Sequence, residues 1–134
     1  MSNNERTKYF DLHTNGIGYL NRIREVTPEE GSPFLSVSIA ALRGSADDVQ
    51  HTYFECPVSG KKAQEIVRQL KPAVEDKLKV LIGFTLSDLY PEFFTYKNGD
   101  KAGETGVNVK ARLLRLSWAN VDGEMFYKQQ ESAV

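Results

Sequence analysis

The chain has 134 residues, one domain's worth, and a fold of that size buries roughly two-thirds of the surface its unfolded chain exposes. Hydrophobic residues make up 40% and charged residues 26%, which excludes whole-chain disorder, collagen-like repeats and coiled coil. Lys plus Arg number 17 against 18 Asp plus Glu, a formal charge of −1, which excludes a bulk polycation but not a local basic face.

Residues 1–15 read as a loose arm with a Tyr9–Phe10 anchor. From Gly16 the pattern is strand-like: Ile17, Tyr19, Asn21 and Ile23 alternate with Gly18, Leu20, Arg22 and Arg24. The stretch TPEEGSP over 27–33 is turn chemistry. A second strand covers Phe34 to Leu42, with Leu35, Val37 and Ile39 on one face and Ser36, Ser38 and Ala40 on the other. Residues 44–50 read as a loop, and His51 to Cys56 as a short third strand ended by Pro57 and Gly60. The period then changes. Ala63, Ile66, Val67 and Leu70 form a helical stripe, and Pro72 predicts that it ends or kinks near Lys71, with a further turn over 73–77.

Lys79 to Ser87 is a fourth strand, with Val80, Ile82, Phe84 and Leu86 on one face, and it continues less regularly from Asp88 to Phe94. Asn98 to Gly103 is a turn. A fifth strand runs from Gly106 or Val107 to about Trp118. Val109, Ala111 and Leu113 share a face, and the adjacent Leu113 and Leu114 predict a bulge that turns Leu114, Leu116 and Trp118 inward. Residues 121–134 read as a short tail, leaving 16–120 as the one folded domain. Three strands, a helix between strands 3 and 4, and two strands joined by a long hairpin is the order of the five-stranded OB-fold β-barrel, a mainly β architecture.

The single cysteine, Cys56, excludes an internal disulfide and suits a reducing compartment. MSNNERTKYFDLH has no apolar segment, so no secretory leader is expected. Apolar runs such as KVLIGFTL fall short of the roughly 20 residues that cross a bilayer. A cytoplasmic location without membrane contact is the expectation.

The run YFECPVSGKKAQEIVRQL from Tyr53 to Leu70, then KVLIGFTL, then a Gly-rich hairpin and a β-rich run, resembles bacterial single-stranded DNA-binding proteins. The family's aromatic at the start of strand 3 falls on Tyr53. Its Gly-Lys helix start falls on Gly60-Lys61, its post-helix strand on Lys79 to Leu86 and its long hairpin on Tyr96 to Val107. The chain also looks like the functionally unassigned, replication-linked proteins carried on integrative and conjugative elements. It departs from the first family at Ser59, where a second aromatic is usual, and at Leu42–Ala46, which lacks the aromatic after strand 2. The acidic, Phe-tipped tail of that family is missing too; this sequence ends in Ser-Ala-Val. The resemblance implies a non-enzymatic protein that coats single-stranded DNA, forms a homo-oligomer (dimer or tetramer) and serves replication or transfer of a mobile element.

The residues supply a physical reading of such a face. Binding a single strand needs aromatic surfaces for unstacked bases and cations for phosphates. Tyr53 or Phe54 stands on the third strand, and Tyr90, Phe93, Phe94 and Tyr96 crowd the hairpin beside Lys97. Residues 1–60 hold 5 basic and 8 acidic groups, and residues 61–134 hold 12 and 10. Lys110, Arg112 and Arg115 fall in an acid-free stretch, and Arg22 and Arg24 share a face. Ser36, Ser38 and Ala40 would form the floor. The same hairpin aromatics also suit a dimer contact, or an adaptor that docks a replication or conjugation protein. Trp118 suits core or subunit interface.

Catalytic patterns do not form. Gly60-Lys61-Lys62 lacks the first glycine and the Ser/Thr of a phosphate loop, and Gly16-Ile-Gly18 meets Asn21 where a third glycine is needed. His51 and Cys56 are five apart, on opposite faces of a strand. Two histidines and one cysteine cannot build a structural zinc site. No metal or cofactor is called for.

Overall fold

Leu35, Val37, Ile39 and Ala41 alternate with smaller or polar neighbours, and alternate residues of an extended backbone share a face, so this stretch must bury one side. The computed structural model describes residues 9–128, and its elements follow from such alternation. They are β1 (His13–Val26), β2 (Phe34–Ser45), β3 (Asp48–Pro57), α1 (Lys61–Glu75), β4 (Val80–Thr95), β5 (Thr105–Val121) and β6 (Glu124–Lys128). The molecule is mostly β, with six strands in one sheet and its helix between β3 and β4.

The sheet order is β3-β2-β1-β4-β5-β6, with antiparallel neighbours throughout. In addition β3 meets β5 in parallel at Phe54–Val109 and Glu55–Lys110, and Val58 bridges to Leu113. The pairings therefore run in a ring through β1, β2, β3, β5 and β4. Inside it lie Leu20, Val37, Ile39, Phe54, Cys56, Ile82, Phe84, Leu86, Leu113 and Leu116, all buried. The helix adds its predicted stripe of Ala63, Ile66, Val67 and Leu70 to that core. Gly60 precedes the helix because a Cβ there would collide with the Leu114 carbonyl oxygen of β5. The neighbouring Ser59 N–H donates to the Leu113 carbonyl at 2.8 Å.

Several sequence expectations give way, each for a local reason. In β1 the register skips Asn21, between the pairs Leu20–Ile39 and Arg22–Ser38. This bulge puts Leu20 and Ile23 on the same buried side, against the simple alternation. The expected loop at 44–50 is a tight hairpin, with β2 reaching Ser45 and β3 starting at Asp48. In β5 the predicted bulge falls at Leu114, but a second skip passes over Ser117. Leu116 is buried as expected, whereas Leu114 and Trp118 are only half-buried and Ala119 takes the core position. Part of the expected tail is β6, paired to the end of β5. Tyr9 and Phe10 are exposed and so anchor nothing among the described residues. Residues 1–8 of the arm and 129–134 of the tail lie outside the described residues.

Pro72 does not end the helix; it sits inside it, with its ring exposed. Ala73 and Val74, just beyond, pack against the core, and the Asp76 N–H donates back to the Pro72 carbonyl. Tertiary packing thus outweighs the hydrogen bond that Pro72 cannot make to the turn before it. Pro72→Ala restores that donor and is expected to stabilise the fold by about 1–3 kcal/mol. Urea unfolding monitored by circular dichroism checks this, and a fall in stability would contradict it.

Candidate functional site

Because directly paired residues of neighbouring strands share a face, the register assembles side chains that are distant in sequence. Arg22 lies opposite Ser38, Ser38 opposite Glu55, and Glu55 opposite Lys110, one row across β1, β2, β3 and β5. The next row is Arg24, Ser36 and Pro57. On the other side of the first row stand Tyr19, Ala40 and Tyr53. The small residues of β2 form the floor, as the sequence predicts, and cations and tyrosines rise around it. Of the Tyr53–Phe54 pair, Phe54 is buried and Tyr53 is 63% exposed, with its ring stacked near His51.

A cleft of about 610 Å³ opens beside these rows, walled by Arg24, Phe34, Glu55, Tyr90, Lys110 and Arg112. Tyr90 is there because it pairs with Lys110 across the β4–β5 hairpin. Phe94 pairs with Gly106 on the same hairpin face, and its ring meets Tyr96 edge-on at 4.8 Å. Gly106 leaves room for this: a Cβ would come within 2.5 Å of Phe94 Cζ and 2.9 Å of Tyr96 Cε2. Lys101 sits over the Tyr96 ring at 5.6 Å, and Lys97 is exposed in the loop that follows β4.

Phe93 parts company with the other aromatics. It pairs with Val107 on the opposite hairpin face, where the two are 68% and 53% exposed. Nine of the ten predicted site residues thus lie on the cleft side of the sheet or in the hairpin loop, and Phe93 faces away.

Two of the cleft's cations are held by acids. Lys110 pairs with Glu92 at 3.6 Å, and Arg112 with Asp88 at 3.2 Å. Arg112 also donates to Ser59 Oγ at 2.6 Å, and Ser38 Oγ donates to Glu55 at 2.6 Å. Ion pairs this exposed are worth little, so a stronger anion in the cleft can displace them. Ser59, noted in the sequence as a missing aromatic, here holds Arg112 in place. Asp88 itself adopts φ of 58°, a backbone that Asp tolerates.

Nucleophilic chemistry finds no support in Cys56. Burial, first of all, and the Glu55 charge push its thiol up to about 12, and Lys110 opposes only in part. It is a neutral core side chain at neutral pH. No helix among the described residues is long and apolar enough to cross a membrane.

A family model described as a protein of unknown function, DUF3577, matches residues 3–134, and the chain belongs to that family. No curated protein and no solved structure matches it.

Proposed function

We propose that this DUF3577 protein is a non-enzymatic, OB-type barrel that binds single-stranded DNA through the cleft face. The observation that carries the reading is the cross-strand row Arg22–Ser38–Glu55–Lys110, flanked by Arg24, Arg112, Tyr53 and Tyr90. It places a small-residue floor between cations and exposed aromatic rings, which is what a flexible, charged chain with stackable bases requires. The ring of strand pairings, with α1 between β3 and β4, supports the barrel. The resemblance to single-stranded DNA-binding proteins adds a cytoplasmic role in replication or transfer of a mobile element, as a dimer or tetramer.

Three cations at the cleft are offset in part by Glu55 and Asp88, so the charge contribution is modest and stacking carries more of the affinity. Fluorescence anisotropy of labelled oligo(dT) is expected to show micromolar or tighter binding that weakens with salt. The slope of log K against log salt should be shallow, about −2 for three phosphates engaged. Absence of salt-sensitive binding at micromolar protein would refute the reading.

A second reading rests on Phe93 and Val107. Their exposed apolar pair faces away from the cleft, as a protein-docking surface on the same hairpin would. It fits an adaptor for a replication or conjugation protein, and Phe93→Ala would abolish that docking without touching DNA.

A further inference from the structure

Beyond the cleft, β5 carries a second set of side chains on its outer surface. The two skipped residues, Leu114 and Ser117, shift the alternation twice. Arg112 pairs with Ser87, Arg115 with Thr85 and Trp118 with Gly83 along β4. Arg115 is exposed and Trp118 half-buried on the outside of the sheet. A second hollow, of about 450 Å³, lies there, lined by Asn15, Ile17, Gly83, Thr85, Arg115 and Trp118 among others.

Its chemistry differs from the first cleft. The lining has a cation and no carboxylate, whereas both Lys110 and Arg112 are already held by acids. Among the described residues Arg115 makes no ion pair. The indole lies across Gly83, so closely that a Cβ there would overlap Trp118 Nε1. Thr85 Oγ1 donates to Asn15 Oδ1 at 2.6 Å. That uses the amide oxygen and leaves the Asn15 NH₂ group to donate to a base carbonyl.

We infer that this hollow is a second nucleotide subsite, in which a base lies against the Trp118 indole and its phosphate against Arg115. A half-buried aromatic ring, a free cation, a neutral donor and no competing acid suit one nucleotide of a polyanion. The inference rests on the single-stranded DNA reading above and extends it: a strand leaving the cleft past Arg112 follows β5 to Arg115 and then Trp118.

Trp118 is the chain's one tryptophan, so its emission reports on this subsite and no other. The full-length protein is titrated with long oligo(dT), following anisotropy of a labelled strand and tryptophan emission together. The expected result is quenching that saturates with the anisotropy, and protection of the indole from acrylamide in the complex. Arg115→Gln, an exposed change, should weaken binding roughly three- to tenfold, reduce the salt slope by about 1 and lessen the quenching. Binding seen by anisotropy with unchanged emission and unchanged acrylamide access overturns the subsite and leaves the cleft standing. Quenching that Arg115→Gln leaves intact at unchanged affinity also overturns it. No binding by anisotropy overturns both.

Discussion

Replacing Leu113 with Ala is expected to cost the fold about 2–5 kcal/mol, the largest stability loss foreseen for a single side chain. Leu113 is fully buried and stands where four parts of the fold converge. It pairs with Leu86 of β4, bridges to Val58, and its carbonyl accepts the Ser59 N–H that leads into α1. The bulge at Leu114 follows at once. Truncation leaves a cavity that the paired backbone on both sides cannot collapse into, which places the cost toward the upper end. Chemical unfolding at equilibrium measures it. A loss under about 1 kcal/mol would mean that β5 is far more pliable than its pairing indicates.

The second large effect concerns binding. Tyr53→Ala is expected to weaken oligo(dT) affinity by about 1–3 kcal/mol, or roughly 5- to 150-fold, with the salt slope unchanged. The exposed ring has little to lose in stability, because Phe54 beside it carries the packing. Lys110→Ala with Arg112→Ala makes the informative contrast, since removing cations should flatten the salt slope by about 1 for each phosphate no longer neutralised. Phe93→Ala should leave affinity within twofold, because its ring lies on the far side of the hairpin. Equal losses for Tyr53→Ala and Phe93→Ala would break the assignment of the binding face.

Much of the cleft was legible in the chain because period-two alternation is local. Ser36, Ser38 and Ala40 announce their shared face by spacing alone, and so do Lys110 and Arg112 opposite Ala111. The hairpin aromatics were legible only as a group. Whether Phe93 joins Phe94 and Tyr96 depends on which hairpin face each occupies, and on the Asp88–Leu89 irregularity that resets the register before Tyr90. Charge was visible only as residue counts. That Lys110 meets Glu92, and that Arg112 meets Asp88 and Ser59, follows from where the strands cross.

What the sequence determined by itself was the mostly β class, the place of the helix, the buried faces of β2 and β4 and a net charge too low for a bulk polycation. Each follows from composition or from short-range periodicity, and burial reads those directly. Tertiary structure alone decided three things. Pro72 stays within α1 because the residues after it have a core to pack against. Residues 124–128 become β6 because the end of β5 offers them a paired edge. Trp118 stays on the outer surface beside Arg115 because a second bulge, at Ser117, reverses the alternation that had pointed it inward. A bulge is one extra residue between two pairing partners; the adjacent Leu113 and Leu114 announced the first, and nothing in the alternation announced the second.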